Sequence, residues 1–122
     1  MHWTCKDGFA GIQHAGVIRP NRHPLLGVAL AWFTDMSEIA DDGDRRALGL
    51  TSAVLGCDRT AYRFIVPAPY GVGIVTWSTF ARTARLPLGA RAVIEGAPGS
   101  RPRQWWVSSV EVRPIGYMEG AR

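Results

Sequence analysis

Lysine is almost missing from this chain: Lys6 is the only one, and the other thirteen of its fourteen basic residues are arginines. Cysteine is nearly as scarce. Cys5 and Cys57 have no companions and form no C-x-x-C pair, which argues against a disulfide scaffold and against a cysteine-rich zinc site. Two such residues in a small domain read as buried thiols of a reducing compartment. Long apolar runs are missing as well. Residues 27–33 make the longest, far short of the roughly 20 that a membrane-spanning helix requires. No charged segment followed by an apolar stretch opens the chain in the manner of a secretory signal. The expectation is a cytoplasmic protein without a membrane partner. The three histidines, His2, His14 and His23, lack the spacing of metal ligands, so no metal is expected. Glycine-rich phosphate loops, the H-E-x-x-H zinc helix and the G-x-S-x-G elbow are absent too.

What is present fits one domain. The chain has 122 residues, 47% of them apolar, enough to bury one core of ordinary size, and residues 1–122 are read as a single domain. Charge is divided unevenly along it. Residues 1–44 carry three basic and six acidic side chains, net −3, whereas residues 45–122 carry eleven and four, net +7. Arginine grips phosphate through two parallel N–H donors, so a nucleotide, RNA or DNA is a candidate partner. A GC-rich genome produces the same excess of arginine with no partner at all.

Phe9, Ile12 and Ala15 recur at a spacing of three, which predicts an amphipathic helix over residues 6–15, stopped by Gly16. A short strand is expected before it, over residues 1–5, and an irregular loop after it, over residues 17–26. Residues 28–34 form an almost unbroken apolar run, the pattern of a strand buried on both faces. Asp35 and Glu38 have the spacing of a capping box for a short helix, which the acidic run 41–44 would end. Further strands are expected over residues 62–67, 73–77 and 105–112, with a turn at 67–71. Short helices are expected over 77–84 and 89–95, and a loop over 96–103. In the last strand Trp105 and Trp106 must point to opposite faces. Strands and helices mix without a βαβ rhythm, so the fold class is α+β: a compact mixed or antiparallel sheet with a few short helices.

Three segments, in this order, carry a resemblance. His2-Trp3-Thr4 opens a strand and leads into a helix that ends at Gly16-Val17-Ile18-Arg19-Pro20. Leu30-Ala31-Trp32-Phe33-Thr34-Asp35 follows, and Val107-Ser108-Ser109-Val110-Glu111-Val112 lies near the far end. The order resembles the ADP-ribosyltransferase-like fold, a broad group that includes RNA 2′-phosphotransferases and DNA-targeting ADP-ribosyltransferases. It covers the two ends of the chain. The resemblance implies a protein that binds NAD or a related nucleotide and transfers ADP-ribose to a macromolecular target. By that likeness His2 would hydrogen-bond a ribose hydroxyl, with Thr4 beside it at the nicotinamide end. Trp32 and Phe33, followed by Thr34, would wall the nicotinamide pocket. Glu111 would be the catalytic carboxylate, stabilising positive charge at the ribose carbon, and His2, Thr4, Phe33 and Glu111 would meet in one cleft. Such chemistry rests on positioning and electrostatics. Arg59, close in sequence to Arg45 and Arg46, is a candidate for the pyrophosphate.

Each of these residues also has a plainer reading. His2 is then a solvated end, Trp32, Phe33 and Trp77 are core, and Asp58 with Arg59 is a surface ion pair. Two other functions stand beside the enzyme. One is a non-enzymatic phage or mobile-element protein that binds and inhibits a host component. The other is a weak nucleic-acid binder using its arginines together with Trp105 or Trp106.

Overall fold

A computed structural model describes residues 1–36, 38–48, 50, 58–66 and 73–119. The apolar run of strand β3 (Ala29–Phe33) is explained by what lies on each side of it. Leu30 and Trp32 pack into one core with Trp77, Ala81, Ala90, Trp105 and Val107. Ala31 and Phe33 pack into a second, with Ile18, Phe64, Ile74 and Val112. Successive side chains of a strand point to opposite faces, and here both faces are covered.

β3 lies inside a four-stranded antiparallel sheet, with β2 (Asn21–Arg22) on one side. On its other side lie β6 (Trp106–Ser108) and then β5 (Val75–Thr76). A three-stranded antiparallel sheet places β4 (Tyr62–Ile65) between β1 (His2–Thr4) and β7 (Gly116–Glu119). Short helices complete the α+β fold: α1 (Lys6–Ala15), α2 (Asp42–Ala47), α3 (Trp77–Thr83) and α4 (Ala90–Glu95). α3 and α4 cover the first core through Trp77, Ala81 and Ala90, while Phe9 and Ile12 of α1 lean on the second.

α1 occupies the residues its apolar spacing predicts. Gly16 ends it with a left-handed φ of 74°, and its N–H donates to Ile12 O at 2.8 Å. The two glycines inside this helix differ sharply in their surroundings. A Cβ at Gly8 would collide with Thr4 Oγ1, whereas a Cβ at Gly11 would meet nothing within 4 Å. Alanine in a helix interior is favoured over glycine by roughly 0.5–1 kcal/mol. Gly11→Ala is therefore expected to raise stability by about that amount. Gly8→Ala should instead lower it by about 1–3 kcal/mol, the usual cost of forcing an atom into filled space. Paired urea titrations read the two signs, and a stabilising Gly8→Ala would show that Thr4 moves aside freely.

Five expectations need correction. Residues 35, 36 and 38–40 are not helical, and the acidic run starts a helix instead of ending one. Asp41 is the N-cap of α2, accepting from Asp44 N–H at 2.9 Å, with Asp42 and Asp44 in the first turn where the helix dipole favours them. The strand expected over 105–112 is only β6. Ser108 Oγ donates to Val110 O (2.8 Å) and accepts from Val110 N–H (3.1 Å), and this local turn ends the pairing. Residues 17–26 contain β2, and β5 is shorter than residues 73–77 because Thr76 caps α3 through Thr79 N–H. Finally, Cys5 is not the free thiol expected: it is disulfide-bonded. Cys57 and the turn at 67–71 lie outside the described residues. A reducing compartment is no longer indicated by the cysteines. Trp105 enters the first core while Trp106 packs against the second, on opposite faces as expected. Among the described residues no helix is long and apolar enough to cross a membrane.

Candidate functional site

β1 crosses the end of β3, and main-chain bonds hold the crossing. Met1 N donates to Thr34 O at 2.7 Å, and Thr34 N–H donates to Met1 O at 2.9 Å. Trp3 Nε1–H adds a bond to Met36 O at 3.3 Å. At this crossing opens a cavity of about 400 Å³, within the range of ligand sites. Its lining brings together His2, Thr4, Trp32, Phe33, Thr34 and Arg59, which come from three separate stretches of the chain.

His2 is held from behind. Its Nδ1 lies 2.8 Å from Trp32 O, and because a carbonyl only accepts, Nδ1 carries the proton and Nε2 the lone pair. Among the described residues no hydrogen bond reaches Nε2, and His2 is part of the cavity lining. The ring packs against Phe33 with centroids 5.7 Å apart. Burial pushes the His2 pKa below its ordinary value, and the bond to Trp32 O opposes this only in part. His23, also in the lining, is lowered by burial as well.

These shifts carry a sign for stability. A histidine with a lowered folded-state pKa binds its proton more readily in the unfolded chain. The unfolded state is therefore favoured as pH falls below the ordinary value of about 6.5. The thermal midpoint is expected to hold near about pH 7.5 and to drop steadily towards about pH 5. His2→Asn, which keeps a donor for Trp32 O but cannot be protonated, should flatten that limb. A midpoint indifferent to acid in the native protein would contradict the assignment.

The aromatic wall is rigid. The Trp32 indole lies 5.2 Å from Trp77 and 5.9 Å from Trp105, the latter at an interplanar angle of 83°. Trp105 is fixed in turn by Nε1–H donating to Ala47 O at 2.6 Å. Thr34 is buried, its Oγ1 accepting from Met36 N–H at 3.1 Å, and Thr4 is backed by Gly8. Both serve as wall.

Arg59 is the one charged side chain among the described lining residues; no carboxylate is among them. It does not pair with Asp58, whose Oδ1 accepts from Thr60 N–H (2.9 Å) and Thr60 Oγ1–H (2.7 Å). Those bonds hold the Asp58 carboxyl below its usual pKa. Among the described residues Arg59 takes part in no ion pair. Glu111 stands apart from this group. It is exposed, it lies 3.6 Å from Arg19, and it is not in the lining. An exposed pair of this kind contributes little to stability.

The lining also includes residues that the sequence did not single out for a ligand: Asn21 and His23 on the β2 arm, Leu48 and Leu50 after α2, and Ser100 beside Trp105. The hairpin that carries Asn21 and His23 closes at Gly27, with a left-handed φ of 69°. That glycine, a few residues after Pro24 and just before the apolar run, was the available signal for it. No protein family, no curated protein and no solved structure matches this chain.

Proposed function

We propose that this is an ADP-ribosyltransferase-like protein that binds NAD or a related nucleotide in the cavity beside β1. The observation that supports this reading is convergence: His2, Thr4, Trp32, Phe33 and Thr34, picked out by the order of short motifs, line a single cavity together with Arg59, the arginine suggested for a pyrophosphate. Each has chemistry suited to a part of such a ligand. The Nε2 of His2 accepts a hydrogen bond from a ribose hydroxyl. Trp32, Phe33 and Trp105 give flat, rigid surfaces to a heterocyclic ring. Arg59 supplies positive charge for phosphate, uncontested by any carboxylate in the described lining. Transfer of ADP-ribose to a macromolecule is what the resemblance adds. Glu111, the carboxylate assigned to that step, stands outside the lining, so ligand binding is the better supported half. Calorimetric titration with NAD and with ADP-ribose tests it: saturable binding at one site is expected. No heat of binding up to about 1 mM ligand, the limit of weak recognition, would overturn the reading. Release of nicotinamide in the same samples reports on transfer.

A second reading, a non-enzymatic protein that binds a host protein, is favoured by one feature. Among the described residues β7 is one of the two edge strands of its sheet, and Ile115, Tyr117 and Met118 on and beside it are 70%, 51% and 45% exposed. An open edge with large apolar side chains accepts a further strand. The same titration separates the two.

A further inference from the structure

Resting on the nucleotide reading, we infer that His23, together with Arg59, forms a phosphate subsite of this cavity, with His23 Nε2–H donating to a phosphate oxygen. His23 is placed with unusual firmness for a residue at a hairpin end. Its N–H donates to Val28 O at 3.0 Å, and its O accepts from Leu26 N–H (3.2 Å) and Gly27 N–H (3.1 Å). The ring is fixed as well. Leu25 N–H donates to His23 Nδ1 at 3.2 Å. A backbone N–H needs an acceptor, so Nδ1 carries the lone pair and the proton of the neutral ring sits on Nε2. That is the opposite tautomer to His2, whose Nδ1 is the donor.

The two imidazoles flank Trp32, one bonded to its carbonyl and the other 6.1 Å from its indole. Both line the cavity, and they present complementary atoms to a ligand: an acceptor at His2 and a donor at His23. A hydroxyl suits the first. The second, with the cation of Arg59 in the same lining and no carboxylate there among the described residues, suits an oxyanion. Burial pushes the His23 pKa below its ordinary value, which favours the neutral ring that carries the Leu25 bond and the Nε2 proton.

The probes are nicotinamide mononucleotide and nicotinamide riboside, which differ by one phosphate. The native protein is expected to bind the mononucleotide about tenfold or more tighter, the usual range for a charge-assisted hydrogen bond. His23→Ala should remove most of that ratio while leaving affinity for the riboside unchanged. His23→Gln, whose Nε2–H reaches a similar point, should restore much of it. In the native protein the His23 ring resonances should move on titration with the mononucleotide and not with the riboside; this reading needs no variant to fold. Tight binding of both probes with an unaltered ratio in His23→Ala, or ring resonances that stay still, would overturn the subsite and leave the nucleotide reading standing. Binding of neither probe to the native protein would overturn both.

Discussion

Trp77→Ala is expected to destabilise the protein by about 3–5 kcal/mol, the range for removing a large aromatic from a closed core. Trp77 is fully buried, with 0% of its surface exposed, and it heads α3 at the centre of the first core. Its ring lies 5.2 Å from Trp32, 6.0 Å from Phe80 and 6.1 Å from Trp105. Its Nε1–H donates to Glu95 Oε2 at 3.1 Å, and its backbone N–H donates to Trp105 O at 2.9 Å. The deletion would open a cavity among three aromatic rings and leave Glu95 without one of its donors. A domain of this size has a total stability of about 5–15 kcal/mol, so the variant would be at the margin of folding. Trp77→Phe separates the two losses, since it keeps most of the ring and removes the donor; it should cost about 1–2 kcal/mol. Urea unfolding followed by circular dichroism measures both. A change below about 1 kcal/mol in Trp77→Ala, far under the range for such truncations, would show that this core repacks.

The second large effect concerns the ligand. His2→Asn is expected to lower affinity for NAD by about ten- to a hundredfold, the size of one well-placed hydrogen bond in a shielded site. The choice of asparagine matters. Its amide nitrogen can take over the donation from Nδ1 to Trp32 O, now 2.8 Å, while nothing replaces the acceptor at Nε2. Stability near neutral pH should then change little, and binding should suffer. Glu111→Gln is the companion measurement. The carboxylate is exposed, pairs with Arg19 and lies outside the lining, so NAD affinity should be unchanged. Loss of binding in Glu111→Gln with none in His2→Asn would reverse the assignment of the site.

The parts of the fold legible in the sequence are those that local rules decide. α1 is specified by its three-residue apolar spacing and by Gly16, and β3 by an apolar run that only a strand covered on both faces can bury. The misread parts turn on side chains that bond their own backbone. Asp41 looked like loop because it lies in a polar acidic run, yet its carboxylate is what starts α2. Ser108 sits within an alternating pattern, but its hydroxyl captures Val110 and stops the strand, carrying Glu111 into solvent. The site divides in the same way. His2, Thr4, Trp32 and Phe33 were accessible from order along the chain because β1 and β3 are adjacent in space. Asn21, His23 and Ser100 reach the cavity through a hairpin and a loop whose placement depends on packing, and no local pattern announces that.

The sheet that contains β3 separates two cores and belongs to both, since Leu30 and Trp32 are committed to one side and Ala31 and Phe33 to the other. A slip of one residue in its pairing with β6, where Trp32 faces Val107, would exchange the contents of both cores at once. Neither core can therefore melt while the other persists, because each is one face of the same strand. The tryptophan-rich side, read by near-ultraviolet circular dichroism, and the phenylalanine side, read by methyl and ring resonances, should lose structure at one common temperature. Cooperativity in this small protein is thus a property of a shared wall.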